Sequence, residues 1–87
     1  MAHEFMYYTY ILFSKKLNKK YIGSTSDLRS RIKEHNRGKS EFTSKGIPWK
    51  LIYYEAFINK EDALREENFL KTGKGRKRIE YLFGGVG

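Results

Sequence analysis

Eighty-seven residues bound this chain to one small domain, a size at which only about 60% of the unfolded surface can be buried. Apolar residues at 39% with aromatics at 16% exclude a disordered chain, and the lack of cysteine excludes disulfide staples and thiolate metal sites. A formal net charge of +8 points to a polyanionic partner, nucleic acid before membrane.

The leader "MAHEF", residues 1–5, precedes a second methionine from which strand-like sequence begins at once. It is read as a cloning remnant and set aside, together with His3. Residues 7–13, "YYTYILF", are β-branched and aromatic with no turn residue and predict a well-buried strand. The polar stretch "SKKLNKK" interrupts the pattern and "YIGS" resumes it, so residues 7–23 predict a hairpin whose turn is decorated by Lys15, Lys16, Lys19 and Lys20. No apolar run is long enough to span a bilayer and no signal-peptide pattern is present, so a soluble cytoplasmic protein is expected.

Residues 24–26, "STS", offer N-cap hydroxyls before "DLRSRIKEHNRG", where Asp27 suits the positive end of a helix over 27–37 and Gly38 its C′ position. The loop "KSEFTSKGIPW" follows, with Phe42 and Trp49 expected to pin it to the core. Residues 50–58, "KLIYYEAFI", predict the third strand. Asn59 and Asp62 read as a capping pair opening a helix over "KEDALREENFLKT" that Gly73 should end, and "RKRIEYLF" predicts a shorter helix before the tail at 84–87, expected to fray. No linker marks a second domain. The expected fold is therefore a small α+β domain over 6–83, a three-stranded antiparallel sheet flanked by helices in the order β-β-α-β-α-α.

Polar residues fall where apolar ones would be expected. In the first helix Leu28 and Ile32 fix the inward face, and Arg31 and His35, at i+3 and i+7 from Leu28, share its stripe. A snorkelling arginine and a histidine capping the helix end would account for both without chemistry. In the later helix Ala63, Leu64 and Leu70 suggest an inward face that includes Glu67, which must then be paired or metal-bound. Glu66 competes with it on the helical wheel, and pairing with Arg65 and Lys71 would serve either glutamate.

One carboxylate, one guanidinium, one imidazole and two phenols in a basic protein suit phosphodiester hydrolysis. A hard divalent cation needs few protein ligands, arginine offers a planar fork to a charged phosphoryl group, and a phenol or imidazole can handle the attacking water. The set lacks the parts for thiol, Walker-loop, dinucleotide or zinc chemistry.

The blocks "YTY" ending at Tyr10, "YIG" at Tyr21 to Gly23, "SDLRSRIKEHN" and "ALREENFLK" resemble the GIY-YIG nuclease superfamily, in particular its small stand-alone bacterial members. The resemblance runs from Met6 to about Leu82. It implies a three-stranded antiparallel sheet flanked by helices and a divalent-metal-dependent endonuclease; the family includes the incision subunit of bacterial nucleotide excision repair, which makes DNA repair an expected setting. By resemblance Tyr10 and Tyr21 match the motif tyrosines, Arg31 the family arginine, His35 a histidine of many members, and Glu67 the metal-binding glutamate in preference to Glu66. It implies one Mg²⁺ or Mn²⁺ per site. The backbone of DNA, or RNA, would be gripped by Lys15, Lys16, Lys19, Lys20, Arg29, Lys33, Arg37, Lys39, Lys71 and Lys74. Two features depart from the family. The first triplet keeps only its tyrosine, and the polar residue that many members place after the glutamate helix has no clear match. Without the DNA-targeting domain of larger members, sequence preference should be weak or supplied by a partner protein. The competing expectation is a nucleic-acid-binding module on the same fold with little catalysis.

Overall fold

The computed structural model describes residues 5–39 and 41–83; residues 1–4, most of the expected leader, and the 84–87 tail lie outside the described residues. Strands β1 (Tyr7–Ser14) and β2 (Lys19–Thr25) form the hairpin. Helix α1 (Leu28–Asn36), a short α2 (Glu41–Ser44), strand β3 (Trp49–Phe57) and helices α3 (Lys60–Leu70) and α4 (Gly73–Phe83) follow. The sheet is antiparallel with order β2-β1-β3, as the sequence predicts. The strand richest in β-branched and aromatic residues takes the centre, where both faces and both edges are covered.

Alternation along β1 divides the core in two. Tyr10 and Leu12 join Trp49 beneath Leu28 and Ile32 of α1, whereas Ile11 joins Leu70 of α3 and Ile79 of α4 on the opposite face. Buried hydroxyls tie the layers together: Thr9 Oγ1 donates to the Ala63 carbonyl (2.6 Å) and Ser14 Oγ to the Gly46 carbonyl (2.7 Å). Asn36 clamps α1 to the start of β3, its Oδ1 accepting from Trp49 N (2.7 Å) and its Nδ2 donating to Trp49 O (3.1 Å).

Helix ends follow their caps. Asp27 is the N-cap of α1, accepting from Ser30 N at 3.1 Å, while the upstream Thr25 hydroxyl accepts from Asp27 N. At the other end Gly38 N donates to His35 O and Lys39 N to Glu34 O, the paired bonds of a Schellman ending.

Four expectations are corrected. Gly73 does not end α3; the helix stops at Leu70 because Thr72 intervenes. The Thr72 hydroxyl donates to Phe69 O (2.6 Å) and accepts from Gly75 N (3.1 Å), so one side chain closes α3 and caps α4. Asn59 is the N-cap of α3 by position but makes no side-chain bond to the helix amides; its Nδ2 reaches the Asp62 carboxylate instead, at 3.4 Å. Leu64 points outward, 41% exposed, and the inward stripe is Ala63, Glu66, Glu67, Leu70. In the 39–49 stretch, residues 41–44 are helical, and Phe42 is half exposed over the rings of Tyr21 and Trp49 while Trp49 alone is buried.

Helix α4 approaches α3 closely at Gly75. A Cβ placed there would lie within van der Waals overlap of the Phe69 carbonyl oxygen and of Leu70 Cα, both backbone atoms that cannot step aside. Gly75→Ala should therefore cost about 3 kcal/mol or more through forced separation of the two helices. Urea unfolding measures it; a midpoint equal to wild type would show that the interhelical contact is looser than this.

Candidate active site

Tyr10 sits at the centre of β1 opposite Gly23 of β2 and Tyr54 of β3, and its side chain is 1% exposed. The ring leans over β2, so that a Cβ on Gly23 would stand 2.6 Å from the Tyr10 hydroxyl and 2.8 Å from Cζ. Glycine at the end of "YIG" thus gives the phenol its space across the edge strand. The hydroxyl lies 3.0 Å from His35 Nε2, and the His35 ring packs against that of Tyr21, with centroids 4.7 Å apart.

The four polar groups of this face act on one another. Burial raises the Tyr10 phenol well above the usual tyrosine range, Tyr21 adds to the rise, and the Arg31 guanidinium opposes it. Burial also lowers the His35 pKa, with Arg31 adding to the effect and Glu34 partly offsetting it. The imidazole is thereby kept neutral and the phenol protonated, so the Tyr10 O–H can donate to Nε2. His35 is buried as the helical stripe implies. Arg31, on the same stripe, keeps 43% of its side chain exposed and pairs loosely with Glu34 at 3.4 Å. Arg31 borders two clefts, one shared with Tyr21, His35 and Lys39 and the other with Ser24, Thr25 and Lys60.

Glu67 reaches the same edge strand from the opposite side of the sheet. Ser24 Oγ donates to its Oε1 at 2.7 Å, and Lys71 Nζ lies 2.6 Å from Oε2. Ser24 follows Gly23 directly, so Glu67 on one side and the Tyr10, Tyr21, Arg31, His35 group on the other meet over residues 23 and 24 of β2. Glu66 turns the other way, to Arg78 at 3.4 Å and to Glu55 of β3, where burial and that second carboxyl raise its pKa. Helical periodicity leaves the two glutamates equivalent, but their positions over different strands separate them.

Among the described residues no three His, Cys, Asp or Glu side chains cluster as a metal cage. The donor set is one carboxylate, which suits a hard cation that retains most of its water, as Mg²⁺ does. Glu67 already takes a cation at one oxygen, and the half-exposed Lys71 stem leaves that partner free to swing away.

Of the basic residues singled out for nucleic acid, Lys39 lies in the Arg31 cleft, and Lys19, Lys20 and Lys71 line a cleft between β2 and α4. Lys15, Lys16, Arg29, Lys33, Arg37 and Lys74 are solvent-exposed and line none of these clefts. Ser24, Lys60 and Arg76 are absent from the sequence-based set. Only the hydrogen bond to Glu67 distinguishes Ser24 from its neighbouring hydroxyls, and only the fold of α4 brings Arg76 to β2.

The family model described as the GIY-YIG catalytic domain matches residues 6–80. A UPF0213 protein of Streptococcus pneumoniae serotype 4 is 43% identical over 63 residues, 71% of this chain and 64% of the relative. The match thus spans just under two thirds of that relative's length. A UPF0213 protein of Lacticaseibacillus paracasei is 36% identical over 75 residues, covering 84% of this chain and 83% of its own. Among solved structures, the solution NMR structure of a UPF0213 protein from Bacillus halodurans aligns at a TM-score of 0.56 and 35% identity, covering 92% of this chain and 87% of that one. With the catalytic-domain model running through both tyrosine strands, α1 and α3, this chain belongs to the GIY-YIG catalytic-domain family.

Proposed function

We propose that this domain is a divalent-metal-dependent endonuclease that hydrolyses one DNA strand per active site. The observation that carries the reading is the meeting of two half-sites over Gly23 and Ser24 of an edge strand, phenols, imidazole and guanidinium on one side and a carboxylate on the other. Because β2 is at the sheet edge, a phosphodiester can approach this point without displacing any element.

Glu67 would hold Mg²⁺ or Mn²⁺, which when bound supplies charge neutralisation and polarisation of a phosphoryl oxygen. Arg31, partly exposed between two clefts, is placed to pair with a non-bridging oxygen as charge builds on phosphorus; its weak exposed contact with Glu34 costs little to exchange. Tyr21 lines the open cleft whereas Tyr10 is buried, so Tyr21 orients the attacking water. Tyr10 and His35 hold the ring of Tyr21 from behind, and the neutral imidazole, accepting the Tyr10 O–H at Nε2, keeps the two rings in register. The exposed lysines and arginines contribute backbone affinity that should fall with salt.

Supercoiled plasmid incubated with the protein and Mg²⁺ or Mn²⁺ should convert to nicked circles, and EDTA should stop the conversion. If neither metal supports nicking while the protein still binds DNA, the domain is a binding module and the nuclease reading is wrong.

A further inference from the structure

A cleft of about 380 Å³ lies between β2 and α4, outside the group of Tyr10, Tyr21, Arg31 and His35. Lys19 and Lys20 stand on its β2 side, Lys71 and Arg76 on its helical side, and Ile22 and Ile79 form an apolar floor; Glu80 is the one carboxylate among its described lining residues. Lys20 Nζ lies 5.9 Å over the Phe13 ring, which steadies it at the rim.

The cleft adjoins Glu67. Lys20, Ile22 and Ser24 alternate onto the same face of β2, so successive members are separated by about 6.8 Å. Ser24 binds Glu67, and Lys71, which pairs with Glu67, also lines the cleft. The cleft is therefore about one step of an extended nucleic-acid strand from that carboxylate.

Its volume is that of a small-ligand site rather than of a duplex track, since such pockets start at about 300 Å³. A duplex presents a phosphate ridge with its bases turned inward. A concavity with a cationic rim and an apolar floor is filled instead by a nucleotide whose base is turned out, with phosphates at the rim and sugar and base against the floor. We propose that this cleft seats an unpaired nucleotide beside the phosphodiester that is cut, so that the preferred substrate is single-stranded at that point. The proposal rests on the nuclease reading for the position of the cut, but the occupancy of the cleft is testable without cleavage.

The probes are a fluorescent single-stranded oligonucleotide and a duplex of the same sequence, titrated with Glu67→Gln protein in metal-free buffer over a range of KCl. Adding Lys20→Ala and Arg76→Ala should weaken single-strand binding about tenfold and reduce the salt slope by about 1.4, two phosphate contacts' worth, while changing duplex binding less than about twofold. Lys45→Ala with Arg65→Ala removes the same charge away from the cleft and should change neither probe by more than about twofold. The proposal fails if the two double variants behave alike, or if Lys20→Ala/Arg76→Ala weakens duplex and single strand equally. Arg76→Ala alone, at an exposed helical position, should show half the slope change, and its melting curve checks that the fold is intact. Wild-type protein that binds in this way but never nicks would remove the nuclease reading and leave a single-strand site.

Discussion

Glu67→Gln should lower plasmid nicking by about a hundredfold or more, a loss of the size seen when one electrostatic stabiliser is removed from a phosphoryl- or acyl-transfer site. The amide is isosteric and its oxygen can still accept from Ser24 Oγ, so the local packing is retained. What disappears is the negative charge that pairs with Lys71 and would hold the metal. Because the Lys71 side chain is 50% exposed, losing the ion pair costs only about 0–1 kcal/mol of stability, and the melting temperature should barely move. Glu66→Gln is the matched control. Its carboxyl faces Glu55 and Arg78 over β3, so nicking should stay within about threefold of wild type, since a distant substitution leaves the reacting groups untouched. Equal activity of Glu67→Gln and wild type, or equal loss in both variants, would sink the assignment of Glu67.

Gly23→Ala should damage both stability and catalysis. The new methyl would sit 2.6 Å from the Tyr10 hydroxyl and 2.8 Å from Cζ, and the ring has nowhere to retreat because it is buried and held by His35. Relief requires β1 and β2 to separate or the phenol to leave its place, at a cost of about 1–3 kcal/mol. Either response breaks the Tyr10 to His35 contact, and a site geometry loosened by about 1 Å can cost a hundredfold in rate. Urea denaturation and the nicking assay measure the two effects. Tyr10→Phe removes the nearest clashing atom, so the Gly23→Ala/Tyr10→Phe double variant should be more stable than the sum of the single changes predicts, a coupling of about 0.5–2 kcal/mol. Strict additivity would mean that Gly23 and Tyr10 do not compete for the same space.

The sequence carries whatever depends on local rules. The hairpin, the third strand and α1 can be read from β-branched runs, from Asp27 and from Gly38, because strand propensity and capping act over a few residues. Arg31 and His35 can be placed on one stripe with Leu28 and Ile32 for the same reason. Where two local rules compete, the reading goes astray. Gly73 offers a helix stop, but Thr72 offers a hydroxyl that satisfies Phe69 O and Gly75 N at once, and a bond made is worth more than a glycine's tolerance. Leu64 is apolar, yet it faces out because Ala63 and Leu70 are the residues that press on the sheet. A small side chain at 63 lets α3 approach Thr9 closely enough for its carbonyl to accept a hydrogen bond.

On its own, the sequence determined a basic surface charge, the β-β-α-β-α-α order, and the residue types suited to phosphodiester chemistry, since composition and short-range periodicity need no partner element. Only the tertiary structure decided which groups share a space. Tyr10 is separated from His35 by 25 positions and Ser24 from Glu67 by 43, and the two pairs are joined by the register of β1 on β2 and by the helices laid on opposite faces. Period alone cannot report such contacts, because they depend on how α1 and α3 pack against the same edge strand and on Gly23 leaving it bare.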